Sequence, residues 1–192
     1  MAAPRILAFA GSARKDSLNK RVLAVAVEGA RRAGAEVTHV DLRDWPMPIY
    51  DGDLETAEGL PENARRFKTL MKEHAGLLLA CPEYNTSITP LLKNTLDWCS
   101  RSEPGERALA CFDGKVAGLV SASPGALGGL RSLIVVRMML SNIRVLVLPE
   151  QASVPRADQV LDVNGRITDD KLRVAVENVG ARLAGMLTRL AG

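Results

Sequence analysis

Five short apolar runs, at residues 6–10, 37–40, 76–81, 116–121 and 145–148, are bounded by turn-forming residues and separated by stretches patterned like amphipathic helices. Most of the runs are continuously apolar, as in strands covered on both faces, and lack the alternation of one-sided strands. The helical patterns fall at 19–33, 61–74, 90–100 and 129–141, with a last one at 169–190. Strand and helix alternate throughout. Closed by right-handed crossovers, this alternation predicts an α/β fold: a doubly wound three-layer α/β/α sandwich around a five-stranded parallel sheet in the order 2-1-3-4-5. The 192 residues suffice for one domain, 1–192, with a core that needs no disulfide or metal staple.

Such a sheet binds ligands at the carboxyl ends of its strands, and the three most unusual loops follow its first, third and fourth runs. The first reads Gly11-Ser12-Ala13-Arg14-Lys15-Asp16-Ser17-Leu18-Asn19. A strand turning directly into a helix aims free backbone N–H groups and the positive end of the helix dipole at whatever sits in the turn. Ser12 and Ser17 add hydroxyls, Arg14 a guanidinium fork and Asn19 an amide, a donor set suited to a compact phosphate monoester. The dinucleotide fingerprint needs three glycines, and only Gly11 is present; the P-loop needs a second glycine followed by Lys and Ser or Thr, which is absent. By themselves these residues serve equally as a helix cap, with Ser17 at the N-cap. Capping leaves Arg14 unexplained.

The second loop, Pro82-Glu83-Tyr84-Asn85-Thr86-Ser87, suits the edge of a flat heteroaromatic ring. Pro82 restricts the backbone, Tyr84 offers an aromatic wall, and Asn85, Ser87 and main-chain N–H groups can meet ring nitrogens and carbonyls. The third, Ser121-Ala122-Ser123-Pro124-Gly125-Ala126-Leu127-Gly128-Gly129, lets backbone approach a ligand closely, or is simply a flexible turn. A long connection from 41 to 60 carries Trp45-Pro46-Met47-Pro48-Ile49-Tyr50-Asp51-Gly52-Asp53; its prolines argue against simple helix or strand, and it reads as a lid or an interface arm.

Composition excludes other classes. The formal charge of +3 is dispersed, so no basic face points to nucleic acid, and the balance mildly favours small anions. Cys81, Cys99 and Cys111 are odd in number and unpatterned, as expected of reduced thiols in a cytoplasmic protein. No run approaches a membrane span and no leader pattern is present. His39 and His74 lack partners at ligand spacing and read as surface or helix-end residues, so no metal site is expected. Arg101 and Glu150 read as solvated charges.

Together, the Gly11–Asn19 pattern, Pro82-Glu83-Tyr84-Asn85-x-Ser87, Leu92-Lys93-Asn94-x-Leu96-Asp97-Trp98 and the third loop resemble the NADPH-dependent FMN reductase family of flavodoxin-like proteins, which includes quinone and chromate reductases. The resemblance spans residues 6–148 with the motifs in order. It implies that Ser12, Arg14, Ser17 and Asn19 hold the FMN phosphate; that Pro82, Glu83, Tyr84, Asn85 and Ser87 border the isoalloxazine; and that Ser121, Ala122, Ser123, Gly125 and Gly128 complete the pocket. It further implies a homodimer or homotetramer in which Tyr50 and Asp51 of the arm approach the neighbouring subunit's flavin. The implied reaction is ping-pong: NADPH or NADH passes hydride to bound FMN and departs, and a quinone, azo, nitroaromatic, chromate or flavin acceptor takes its place. The cofactor carries that chemistry, so no catalytic side chain is named. An FMN-binding electron carrier is the rival reading, but carriers dock through strongly acidic surfaces and this chain is slightly basic. For a redox sensor, no effector segment is found.

Overall fold

The computed structural model describes residues 2–192. Its strands are β1 (Arg5–Ala10), β2 (Glu36–Val40), β3 (Gly76–Ala80), β4 (Glu83–Tyr84), β5 (Ser87–Ile88), β6 (Val116–Ala122) and β7 (Leu146–Val154). Its α-helices are α1 (Leu18–Arg32), α2 (Gly52–Glu58), α3 (Glu62–Lys72), α4 (Pro90–Ser100), α5 (Leu130–Asn142), α6 (Ala157–Val160) and α7 (Asp170–Leu190). Five strands form a parallel sheet in the order β2-β1-β3-β6-β7, while β4 and β5 make a separate antiparallel hairpin. With the hairpin set aside, this is the expected order.

Alternation along each central strand divides the core into two layers. Ile6, Ala8 and Ala10 of β1 face α1 and α7, with Leu78, Ala80, Val116 and Val120 beside them. Leu7 and Phe9 face the opposite side with Leu77, Leu79, Ala117 and Leu119, against Phe67, Met71, Leu96, Leu133 and Val136. Both faces being covered, hydrophobic burial on each side holds the sheet, about 1.5–3 kcal/mol for each fully buried large side chain. Edge strand β2 is only half-buried, which fits its interspersed polar residues. The layer of α1 and α7 is unusually close, because a Cβ at Gly29 or Gly180 would collide with the backbone of the other helix, at Glu177 and Ala26 respectively.

Three local readings change. The last strand continues through Val154 and carries a register irregularity opposite residues 117–119, so a bulge, not a turn, follows Leu148. The connection at 41–60 contains helix α2 beyond its two prolines, capped by Asp51 Oδ1, which accepts from Asp53 N–H at 2.8 Å. His74 stands beyond the end of α3 as expected but is buried; its ring nitrogens bond the Leu70 carbonyl and the Thr38 hydroxyl, each at 2.7 Å.

Candidate functional site

The parallel order brings the three unusual loops to one edge of the sheet. β1 is followed by Gly11, whose N–H donates to Ala80 O at 2.9 Å. A side chain at Gly11 would lie 2.7 Å from Leu92 Cβ, so glycine lets α4 approach the end of β1. The chain then bends: Arg14 N–H donates to Ser12 Oγ at 3.3 Å, and Ser17 Oγ caps α1 through Lys20 N–H at 3.5 Å. The N–H groups of Ala13, Lys15, Leu18 and Asn19 have no acceptor among the described residues, and Arg14 is exposed with no ion-pair partner among them.

Asn19 is buried, and its amide joins the first loop to the third: Nδ2 donates to Ala122 O at 2.8 Å and Oδ1 accepts from Ala122 N–H at 3.0 Å. Thr89, the N-cap of α4, joins the first loop to the second by donating to Gly11 O at 2.6 Å while accepting from Leu92 N–H at 3.2 Å. A Thr-Pro pair is a visible helix-start signal in sequence, but its bond to Gly11 is not.

The second loop is the β4–β5 hairpin, turned by Asn85 and Thr86 at φ values of 49° and 71°. Two consecutive positive-φ residues make the tight turn that matches strand twist; Asn tolerates this, whereas branched Thr86 is strained in it. The hairpin is fastened to α5. Glu83 Oε2 accepts from Arg131 N–H at 3.1 Å, its Oε1 accepts from Arg131 Nε at 2.6 Å, and Ser132 Oγ donates to Cys81 O at 2.6 Å. Neither Arg131 nor Ser132 stands out in the sequence.

The third loop is braced from within. Ser121, inside β6 and buried, donates to Gly128 O at 2.8 Å. Gly128, at φ 60°, and Gly129, at φ 85°, permit the sharp return. The close approach at Gly128 is to this chain's own Val154, 2.5 Å from where a Cβ would stand. Ser123 O accepts from Ala157 N–H at 3.0 Å, and Gly125 O from Arg156 N–H at 3.2 Å.

These loops enclose an open cleft lined by Ser12, Arg14, Ser17, Asn19, Pro82, Glu83, Tyr84, Ala122 and Ser123 of the expected residues, with Leu18 and Pro124 added. Asn85, Ser87, Ser121, Gly125 and Gly128 support its walls without lining it. A larger hollow of about 420 Å³ between β7 and α7 has none of these groups; size does not mark the site, convergent donors do.

Tyr50 and Asp51 stand apart from the cleft, on the arm, which is bolted to α4 of the same chain. Asn94 accepts from Tyr50 N–H and donates to Pro48 O, both at 2.8 Å, and Trp98 Nε1 also donates to Pro48 O at 2.7 Å. The Tyr50 ring packs edge-on against Trp98, its hydroxyl donates to Glu55, and Arg101 pairs with Glu55 while lying over that ring. Arg101 therefore tethers the arm and is not a free solvated charge. Glu150 approaches Arg182 at 3.7 Å. All three cysteines are free and buried, and burial pushes their thiols up, Cys111 to about 11. No cluster of potential metal ligands occurs among the described residues.

A five-stranded parallel sheet in this order, with its ligand cleft over the ends of β1, β3 and β6, defines a flavodoxin-like protein. Residues 4–159 match the family described as NADPH-dependent FMN reductase. The chain is 32% identical over 189 residues to an NAD(P)H-dependent FMN reductase of Pseudomonas aeruginosa, covering 98% of this chain and 97% of that one. It is 34% identical over 161 residues to a quinone reductase of Pseudomonas putida, covering 83% and 82%. In fold it is similar to a flavoenzyme NAD(P)H:(acceptor) oxidoreductase of Paracoccus denitrificans, with a TM-score of 0.78, 23% identity and coverage of 97% and 98%. The chain belongs to the NADPH-dependent FMN reductase family and is an oxidoreductase of that type.

Proposed function

We propose that this chain holds FMN in the cleft and uses it to carry electrons from NADH or NADPH to quinones in two alternating half-reactions. The observation that carries this reading is that one cleft is lined by Arg14, which has no ion-pair partner among the described residues, by the Tyr84 ring, and by the loop whose N–H groups at Ala13, Lys15, Leu18 and Asn19 have no acceptor among them. That donor set fits a phosphate monoester joined to a flat ring. Bound there, FMN would supply the redox chemistry, taking hydride from the nicotinamide and returning two electrons to the acceptor.

The chain's own residues bind and orient. Ser12, Arg14 and Ser17 hold the phosphate, with the first N–H groups of α1 behind them. Asn19 keeps that cradle joined to the third loop. Pro82, Glu83 and Tyr84 would border the ring, with Ala122 and Ser123 completing the pocket. Asn85 and Ser87 shape the hairpin, and Ser121, Gly125 and Gly128 hold the third loop in position. No side chain is assigned a proton-transfer role. The rigid arm presents Tyr50 and Asp51 to the cleft of a second subunit in a homodimer or homotetramer, narrowing access to a planar acceptor. Azo, nitroaromatic, chromate and free flavin acceptors are compatible with the same open surface; the quinone name of a relative favours quinones first. Among the described residues no helix is long and apolar enough to cross a membrane; the proposed location is the cytoplasm.

The test is to purify the protein, reconstitute it with FMN, and mix it anaerobically with NADH or NADPH before adding a benzoquinone. Rapid bleaching of the flavin by the nucleotide and its return with quinone are expected. A protein that takes up no FMN sinks the reading; bound flavin that neither nucleotide bleaches points to an electron carrier.

A further inference from the structure

Of the described residues lining the cleft, Glu83 alone is acidic, and its side chain is only 8% exposed. A carboxylate in that position repels any ligand that gains negative charge, and the repulsion grows as water is excluded. Glu83 does not stand alone. Its Oε1 accepts from Arg131 Nε at 2.6 Å and lies 2.5 Å from Arg131 Nη2, and its Oε2 accepts from Arg131 N–H at 3.1 Å. Arg131 sits in the first turn of α5, where the helix dipole is also positive, and its own side chain is half-exposed. The hairpin has another anchor nearby, since Ser132 holds Cys81 O. The fork from Arg131 thus sets a guanidinium directly against the one carboxylate among the described residues lining the cleft.

We infer that Arg131 tunes the reduction potential of the bound flavin by neutralising Glu83. It is a positioning and charge-compensating residue, acting through Glu83. This rests on the reading of the cleft as an FMN site. A ring that takes up a hydride gains one negative charge, so the cleft favours its reduced form only while Glu83 is compensated. Removing Arg131 exposes that form to the Glu83 carboxylate; removing the Glu83 charge leaves it facing an unopposed guanidinium. The two changes act in opposite directions on the potential, although both break the same clamp.

The experiment measures the two-electron midpoint potential of bound FMN and its dissociation constant in the wild type, Arg131→Gln, Glu83→Gln, the double variant and Arg131→Lys, with circular dichroism to verify folding. Arg131→Gln is expected to weaken binding of reduced relative to oxidised flavin about tenfold, a fall of about 30 mV for a two-electron couple. Glu83→Gln is expected to raise the potential, the double variant to return toward the wild-type value, and Arg131→Lys to stay near it. If both single variants shift the potential in the same direction, or change FMN affinity with the potential unmoved, the pair is a structural clamp only and the inference is overturned. Should Arg131→Gln fail to fold, the rise in Glu83→Gln and the near-constancy in Arg131→Lys decide the matter. Wild-type protein that binds no FMN overturns the FMN reading and this inference together, whereas bound flavin with unmoved potentials overturns the inference alone.

Discussion

Asn19 and Ala122, 103 residues apart, hold one another at both ends: the amide of one side chain donates to and accepts from a single backbone residue, at 2.8 and 3.0 Å. The bond pair is buried and joins the start of α1 to the end of β6. The Thr89 hydroxyl makes the equivalent join from α4 to Gly11 O at 2.6 Å. Three loops that are distant in sequence are thereby joined, so the spacing between the first loop, proposed above to hold a phosphate, and the other two is set by the chain's own hydrogen bonds.

Replacing Asn19 with Leu would strand the Ala122 N–H and carbonyl in a buried place. We expect a loss of about 1–3 kcal/mol for each group left without a partner, read as a lower urea midpoint, together with weaker FMN retention. Asn19→Asp keeps the acceptor for Ala122 N–H but turns a carboxylate toward Ala122 O, and should be no better than Leu. A fully stable Asn19→Leu protein would contradict the bracing role.

Arg14→Ala should weaken FMN more than riboflavin, because only FMN offers the phosphate that the guanidinium fork would hold. The expected difference is about 1.5–3 kcal/mol, measured by flavin fluorescence titration. Equal losses for the two flavins would remove Arg14 from the phosphate site.

Thr89→Val deletes both the bond to Gly11 O and the α4 cap while keeping the side chain's shape. A cost of about 1–2 kcal/mol is expected in thermal unfolding, with Thr89→Ser close to wild type because the hydroxyl survives. Matching melting temperatures for Val and Ser would show that neither bond matters.

Glu106 supplies a pH test remote from the cleft. Burial would raise its pKa, but hydrogen bonds from buried Lys68, from Lys72 and from Glu103 N–H outweigh that and hold it down to about 2, against an ordinary 4.5. A carboxyl depressed in the folded state stabilises the protein above about pH 4.5, and the contribution is lost as pH falls toward 2. Glu106→Gln leaves Lys68 buried without its nearest carboxylate and should cost about 3 kcal/mol at pH 7. The gap from wild type should narrow steadily on acidification, as chemical denaturation at pH 7, 5 and 3 would reveal; a gap independent of pH would refute the pairing.

The alternation of apolar runs and helical patterns was enough to determine the layers and strand order, because burial on both faces and right-handed crossovers leave few other ways to cover such strands. The same reading located the three loops that carry the cleft, since Gly, Pro, Ser and Asn cluster where chain direction changes. Helix α2 is not legible there, because the two prolines ahead of Asp51 look like a break when they are only an approach to a cap. Local sequence does not show that Asn19 and Glu83, expected at the ligand, also bond Ala122 and Arg131.

What the sequence by itself determined was therefore the architecture and the inventory of donors, both products of local pattern and short-range spacing. Only the tertiary structure decided which of those donors remain free. Hydrogen bonds such as Asn19 with Ala122, Thr89 with Gly11 and Glu83 with Arg131 form between residues 48 to 103 positions apart, and nothing in local sequence specifies a partner at that distance until the sheet has assembled.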